Sequence, residues 1–334
     1  MTDKSLKAVI GMIAFACALL FAPQRVTAQN LAVQLSDRKI PVSEFNGINV
    51  SNDFEVTLAR GAYSVRLTVD KELAPYVEIY VKAKTLYISL DEKSVPKEIK
   101  KLYKGRNGLV PIYRVTAYTP ELQSITLSDN STFIGVEEFT SPQFEVTATG
   151  KSQVKNLMVS ATSGKINLKK NAVATISMRT VRGVEVSTEN SSNLKLTFTG
   201  EELALNSEGS SVLIAEGGPC TSMNLFTAGS SEVSVTSDSE KVNLTTEGSS
   251  SVVLTGNAKE LTVKGSRSSS VDAFSMPVET VDANLSNSSR VTVNVSKEVR
   301  ANLVGGSALI YSGTPEFKIE KIVKSTLAPY GTKL

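Results

Sequence analysis

Residues able to do acid–base or metal chemistry are few here and poorly spaced for it. The chain contains no His, which removes Ser-His and Cys-His nucleophile schemes and the usual zinc ligand sets. Two adjacent acid pairs occur, Glu137-Glu138 and Glu201-Glu202. Neighbours on a strand point to opposite faces, so neither pair is expected to clasp one glycosidic bond. Asp238 and Glu240 could share a face, but they sit at a corner and read as solvated charge. Calcium-binding β-rolls keep an Asp at one place in every turn; the equivalent positions here are Glu208, Ala228, Glu247, Ser266 and Ser286. No Gly-rich turn leads into a helix opened by Lys and Ser/Thr, so a phosphate cradle is not expected either. The many Ser residues have no base beside them. No catalytic residue, metal site or cofactor is predicted.

Binding chemistry is better represented. Seven of the nine Tyr fall between Tyr63 and Tyr118. If Val77, Ile79 and Val81 face inward, Tyr76, Glu78, Tyr80 and Lys82 face outward; if Leu86 and Ile88 face inward, Tyr87 also faces outward. A hairpin turning near Ala83-Lys84 brings Tyr80 and Tyr87 together. Exposed aromatic faces with polar neighbours suit stacking on sugars or a protein partner, so the candidate binding residues are Tyr76, Tyr80 and Tyr87. A basic cluster flanks them: Lys93, Lys97, Lys100, Lys101, Lys104 and Arg106. It reads as a solvated insertion rather than an anion-binding surface. Lys and Arg number 36 against 33 Asp and Glu, a net charge of +3, which does not suit a nucleic-acid partner.

These side chains must be carried by a repeating scaffold. From about residue 203 to 311 the sequence repeats roughly every 20 residues. Each unit is a pair of apolar alternations around a Ser/Gly/Asn-rich corner. Leu203-x-Leu205, Gly209-Ser210-Ser211 and Val212-x-Ile214 form one unit; Val242-x-Leu244, Gly248-Ser249-Ser250-Ser251 and Val252-x-Leu254 form another. The dyad spacing is that of strands, and the corner residues tolerate left-handed backbone. Stacked coils should align Leu205, Leu225, Leu244, Val263, Ala283 and Ala301 in one internal ladder. Ile214, Val235, Leu254, Ala273, Val293 and Tyr311 should form another. The Ser pairs should line an outer edge, where they supply polar cover.

Upstream the phase persists at Asn190-Ser191-Ser192, Thr149-Gly150-Lys151-Ser152 and Asp129-Asn130-Ser131, and an irregular coil is expected from Ala161 to Val186. Phe45 to Leu90 is strand-rich with tighter spacing and suits a meander or the first coils. Val95-Pro96 opens a short helical excursion within 91–110. The Lys-rich tail from Phe317 is expected to cover or leave the last coil.

The first 28 residues read as a secretory signal peptide: Lys4 and Lys7, an apolar stretch from Ala8 to Ala22, and Val26-Thr27-Ala28 before Gln29. The apolar core is too short for a membrane span. Cys17 lies in a poor lipobox within this segment. Cleavage would leave Cys220 alone, without an intramolecular disulfide, and Cys220 reads as a buried corner residue. The predicted divisions are 1–28 signal peptide, 29–125 strand-rich portion with the insertion, 126–315 β-helix repeats and 316–334 tail.

Phe45-Asn46-Gly47-Ile48-Asn49-Val50, followed by Phe54-Glu55-Val56-Thr57-Leu58-Ala59-Arg60-Gly61, resembles the opening of the putative auto-transporter adhesin head GIN domain family. Gly306-Ser307-Ala308-Leu309-Ile310-Tyr311-Ser312-Gly313-Thr314-Pro315 is similar to that family's ending. The resemblance spans Phe45 to Pro315. It implies an all-β, right-handed parallel β-helix in an exported bacterial protein, and it offers no catalytic residues.

Together these features predict an exported, non-enzymatic adhesion or binding module of the cell envelope. It would reside in the periplasm, at the outer membrane or outside the cell. A glycan or a protein is the expected partner; nucleic acid and an integral membrane span are not. A carbohydrate-active lyase or hydrolase and a purely structural envelope component are the alternatives.

Overall fold

A computed structural model describes residues 34–104 and 108–332. The signal peptide read at 1–28, with Cys17, lies outside the described residues, as does Arg106 of the basic cluster.

The corners set the architecture. Most turn through a residue with positive φ two places before a buried Ser. At Ser250 that residue is Gly248, with φ +76°. A Cβ on Gly248 would lie 2.5 Å from the Gly229 carbonyl oxygen of the preceding coil, so close stacking as well as backbone geometry demands Gly. Between corners the apolar dyads form strands paired in parallel from coil to coil. The result is a β-solenoid of about ten turns, in which the backbone groups of one coil are satisfied by the next.

The first internal ladder runs as expected. Leu205 pairs with Leu225, Leu225 with Leu244, Leu244 with Val263, Val263 with Ala283 and Ala283 with Ala301. The second needs one correction. Val235 pairs with Ala215, not Ile214, and Ile214 is exposed. Counting from the corner Gly explains it: Val233 follows Gly229 by the same interval as Leu213 follows Gly209. A third, short side stacks Cys220, Ser239, Ala258 and Val278. Cys220 is buried there, its thiol 3.6 Å from the Asp238 carbonyl oxygen.

The coil expected to be irregular, Ala161 to Val186, keeps the common register apart from local shifts near Leu157 and Ser163. Its corner is Lys170-Asn171-Ala172, with Lys170 at φ +63° and Ala172 buried where other corners have Ser.

The Ser residues are also placed differently from expectation. At most corners one Ser points into the solenoid, including Ser131, Ser152, Ser192, Ser211, Ser231 and Ser250, all essentially inaccessible. Its hydroxyl donates to a carbonyl three residues back, as from Ser211 to Glu208 at 2.9 Å and from Ser250 to Glu247 at 2.7 Å. Beside this column runs a buried hydroxyl ladder in which Thr188 donates to Ser207 and Thr227 to Thr246, each at 3.0 Å.

The N-terminal end is a cap of strands β1 (Leu35–Ile40), β2 (Gly47–Val50), β3 (Glu55–Arg60), β4 (Ser64–Asp70), β5 (Val77–Lys82), β6 (Thr85–Leu90) and β7 (Tyr113–Thr119), with helix α1 (Lys97–Leu102) between β6 and β7. β2 and β3 belong to the parallel stack. Antiparallel pairs β1–β4, β4–β7 and β5–β6 close the end. Gly47 lies in β2 between two flanking strands, where a Cβ would come within 2.8 Å of Ser124 Oγ and 3.0 Å of Thr85 Oγ1.

At the other end, residues from 316 on do not leave the solenoid. Glu316–Val323 and Thr326–Pro329 pair in parallel with the preceding coil and add one more turn.

Candidate binding surface

The β5–β6 hairpin turns through Ala83 and Lys84, with φ +47° and +58°. Two successive positive φ values match the strand twist and fix a short register. Tyr80 thus lies directly opposite Tyr87. Their rings stack with centroids 5.1 Å apart and an interplanar angle of 11°. Tyr80 is 47% exposed and Tyr87 partly so, while Leu86 and Ile88 point into the core. The outer face of the cap therefore carries a pre-stacked aromatic pair.

Tyr76 does not join that pair. It ends a 3-10 turn over Ala74–Tyr76 rather than lying on β5, and it packs partly buried against the core. Tyr63 and Tyr113 are also packing residues, against Phe45 and Phe54 at centroid distances of 5.7 and 5.1 Å.

Beneath α1 lies an unusual carboxylate. Asp70 is 1% exposed, and neither side-chain oxygen meets hydrogen-bond geometry with any partner. Burial raises its pKa, and the nearby Tyr103 hydroxyl offsets only part of that. Burial also pushes Tyr103 up, helped by Asp70, and pushes Tyr113 up to about 12. The Lys side chains of α1 belong to a helix in which no residue is buried.

A second concavity crosses several coils on one solenoid wall. It has a volume of about 710 Å³ and is lined by Gln123, Gln143, Ser163, Arg182, Glu185 and Glu202, among others. Gly183 keeps its floor low, since a Cβ there would meet the Glu202 carbonyl oxygen at 2.5 Å.

Glu137 and Glu138 both line one surface depression beside Arg60, contrary to the expected divergence, because Glu137 lies in a bend just before the strand. Glu137 accepts from the Arg60 backbone N–H at 2.8 Å. Ser160 and then Arg179 hold the Glu138 carboxyl below the usual carboxylate range. A lowered Glu138 does not suit the acid role, since glycosidase chemistry needs one carboxyl kept protonated. Asp238 accepts from Asn257, and Glu240 pairs with Lys259 at 2.8 Å. Among the described residues no group of acidic, His or Cys side chains could hold a metal ion, and no helix is long and apolar enough to cross a membrane.

The sequence pattern of a family described as putative auto-transporter adhesin, head GIN domain, matches residues 44–220 and 155–315. No curated protein matches the chain. Among solved structures, a putative adhesin from Parabacteroides distasonis is 21% identical, with a TM-score of 0.37, over 89% of this chain and 98% of that one. A putative adhesin from Parabacteroides merdae is 17% identical, with a TM-score of 0.39, over 89% and 96%. A putative lipid binding protein from Parabacteroides distasonis is 19% identical, with a TM-score of 0.36, over 89% and 96%.

Proposed function

The chain belongs to the family of putative auto-transporter adhesin head GIN domains, and from that premise we propose that it is a non-enzymatic adhesion or binding module of the cell envelope, exported by the signal peptide read at residues 1–28. The observation that carries the reading is the exposed Tyr80–Tyr87 stack. Two rings fixed by a hairpin present a flat apolar face whose ordering cost is met on folding, and such faces suit sugar rings or a protein partner. The solenoid sets that face at one end of a rigid rod.

The test is a glycan-array and envelope pull-down screen of the protein beside its Tyr80→Ala/Tyr87→Ala variant. The variant should keep the β-sheet circular dichroism signal and lose the captured glycan or protein. Unchanged capture would remove this site. A second reading, favoured by the polar lining of the groove around Arg182, places an extended glycan there. Capture sensitive to Arg182→Ala and indifferent to the Tyr variant would support it instead.

A further inference from the structure

The two ends of the solenoid are finished differently. The N-terminal end is closed by antiparallel strands and α1. At the other end, the inward-facing ladder does not stop where its cover stops. Val299, Ala301 and Leu303 are fully buried. The next rung pairs Phe317 with Val299, Ile319 with Ala301 and Ile322 with Leu303, yet Phe317, Ile319 and Ile322 are 40%, 43% and 40% exposed. All eight residues of Glu316–Val323 are exposed. Its outer backbone edge pairs with no strand among the described residues. An uncovered strand edge beside exposed apolar side chains is a template for another strand.

We propose that this end docks on the same end of a second copy, through antiparallel pairing of Glu316–Val323 with its two-fold mate. Three observations favour that occupant. Glu316 and Glu320 offset Lys318 and Lys321, so the strand meets its copy with no net charge. The register between Ala301 and Asn302 carries a bulge at Glu320, which shifts the inward set from odd to even positions. Because of that shift, one antiparallel register matches faces from Lys318 to Val323, with Phe317 falling opposite Lys324 just past the strand's end. It sets Ile319 opposite Ile322 on the inner side and Lys318 opposite Val323 on the outer side. The same register sets Glu320 opposite Lys321, twice across the two-fold axis. Cross-strand pairs of opposite charge are favourable and like pairs are not. The contact is isologous and closes on itself, so it yields a dimer rather than a filament. Its neighbouring strand, Thr326–Pro329, has Pro329 on the edge, which lacks a backbone donor and limits further addition. The dimer would carry one Tyr80–Tyr87 pair at each far end.

The test is sedimentation velocity on the intact protein across a concentration series. The wild type should form a dimer. Glu320→Lys alone and Lys321→Glu alone should each be monomeric, because each sets like charges opposite one another. An equimolar mixture of the two variants should restore the dimer, since each supplies the charge the other lacks. Both side chains are exposed, so neither change threatens the fold. A wild type that stays monomeric overturns the proposal, as does a dimer that survives in both single variants or variants whose mixture fails to reassociate.

Discussion

Ser231 Oγ lies 3.1 Å from the carbonyl oxygen of Ser207 and 2.8 Å from that of Ala228. One hydroxyl thus serves its own corner and the coil before it. Ser231 is fully buried, so its removal takes the hydroxyl donor from the Ala228 carbonyl, while the Ser207 carbonyl keeps the Ala228 backbone N–H at 2.9 Å. Ser231→Ala should therefore lower stability by about 1–2 kcal/mol. Ser230→Ala, one residue away on the exposed side of the same corner, should fall within about 0.5 kcal/mol of wild type. Urea denaturation of both variants decides it; equal effects would show that the buried hydroxyl contributes nothing. The Ala172 corner limits the expectation to one coil at a time, since that corner closes without a hydroxyl.

Gly248 is the sharper test of the corners. Substitution to Ala combines φ +76° with a Cβ 2.5 Å from the Gly229 carbonyl oxygen. Strain of this kind costs about 1–3 kcal/mol before any clash. Gly248→Ala should lose about 2 kcal/mol or more. Lys170→Gly, at a corner where a Lys already holds φ +63°, relieves left-handed strain but loosens the unfolded chain by a similar amount, so it should stay within about 1 kcal/mol of wild type. Thermal unfolding of the two variants checks the contrast.

The legible parts of this fold are those written in apolar dyads and glycines. The Leu205–Ala301 ladder could be read because one dyad and one corner recur in every unit. Ile214 looks inward in the sequence because Ser210-Ser211 runs straight into Val212 and shifts the visible dyad by one residue, while the structure counts from Gly209. The Lys170–Ala172 corner was invisible because it contains neither Gly nor Ser, although its backbone takes the same shape. The inward Ser residues look outward in the sequence because hydroxyls suggest solvent; the recurrence of Thr or Ser four places before several of them, as Thr227 before Ser231, is the signal of burial. The final coil hid behind Lys318 and Lys321 and the bulge at Glu320, which interrupt the dyad. Tyr80 and Tyr87 could be paired from the shortness of their hairpin. Tyr76 could not, because the 3-10 turn at Ala74 breaks the alternation just before it.

Surface charge should matter little to stability. Ion pairs link successive coils on the outer face, as Lys165–Glu185 at 2.9 Å, Lys259–Glu240 at 2.8 Å and Lys297–Glu279 at 2.6 Å. All six side chains are well exposed, where solvent and salt screen the attraction. Raising the salt concentration to about 1 M, where the Debye length is near 3 Å, should move the unfolding midpoint by less than about 2 °C. A large fall would show that these columns act as a network.

Asp70 gives a pH dependence of the opposite sense to a salt-bridged acid. Its folded pKa is raised by burial, while the unfolded value is about 3.9. Between those two values the folded state binds more protons than the unfolded state, so stability falls as pH rises. The favourable share is fully present below about pH 3.9 and is lost as pH climbs through the raised folded value, at about 1.4 kcal/mol for each unit of elevation. Asp70→Asn keeps the shape and removes the titration. Denaturant unfolding of both proteins from acid to neutral pH should show the variant's advantage growing through that window and then levelling. An offset that stays constant across the window would mean that Asp70 does not change its charge cost on folding. Tyr103→Phe supplies the companion measurement: removing the hydroxyl that partly offsets burial at Asp70 should extend the window to higher pH in the otherwise wild-type protein and have no such effect in the Asn variant.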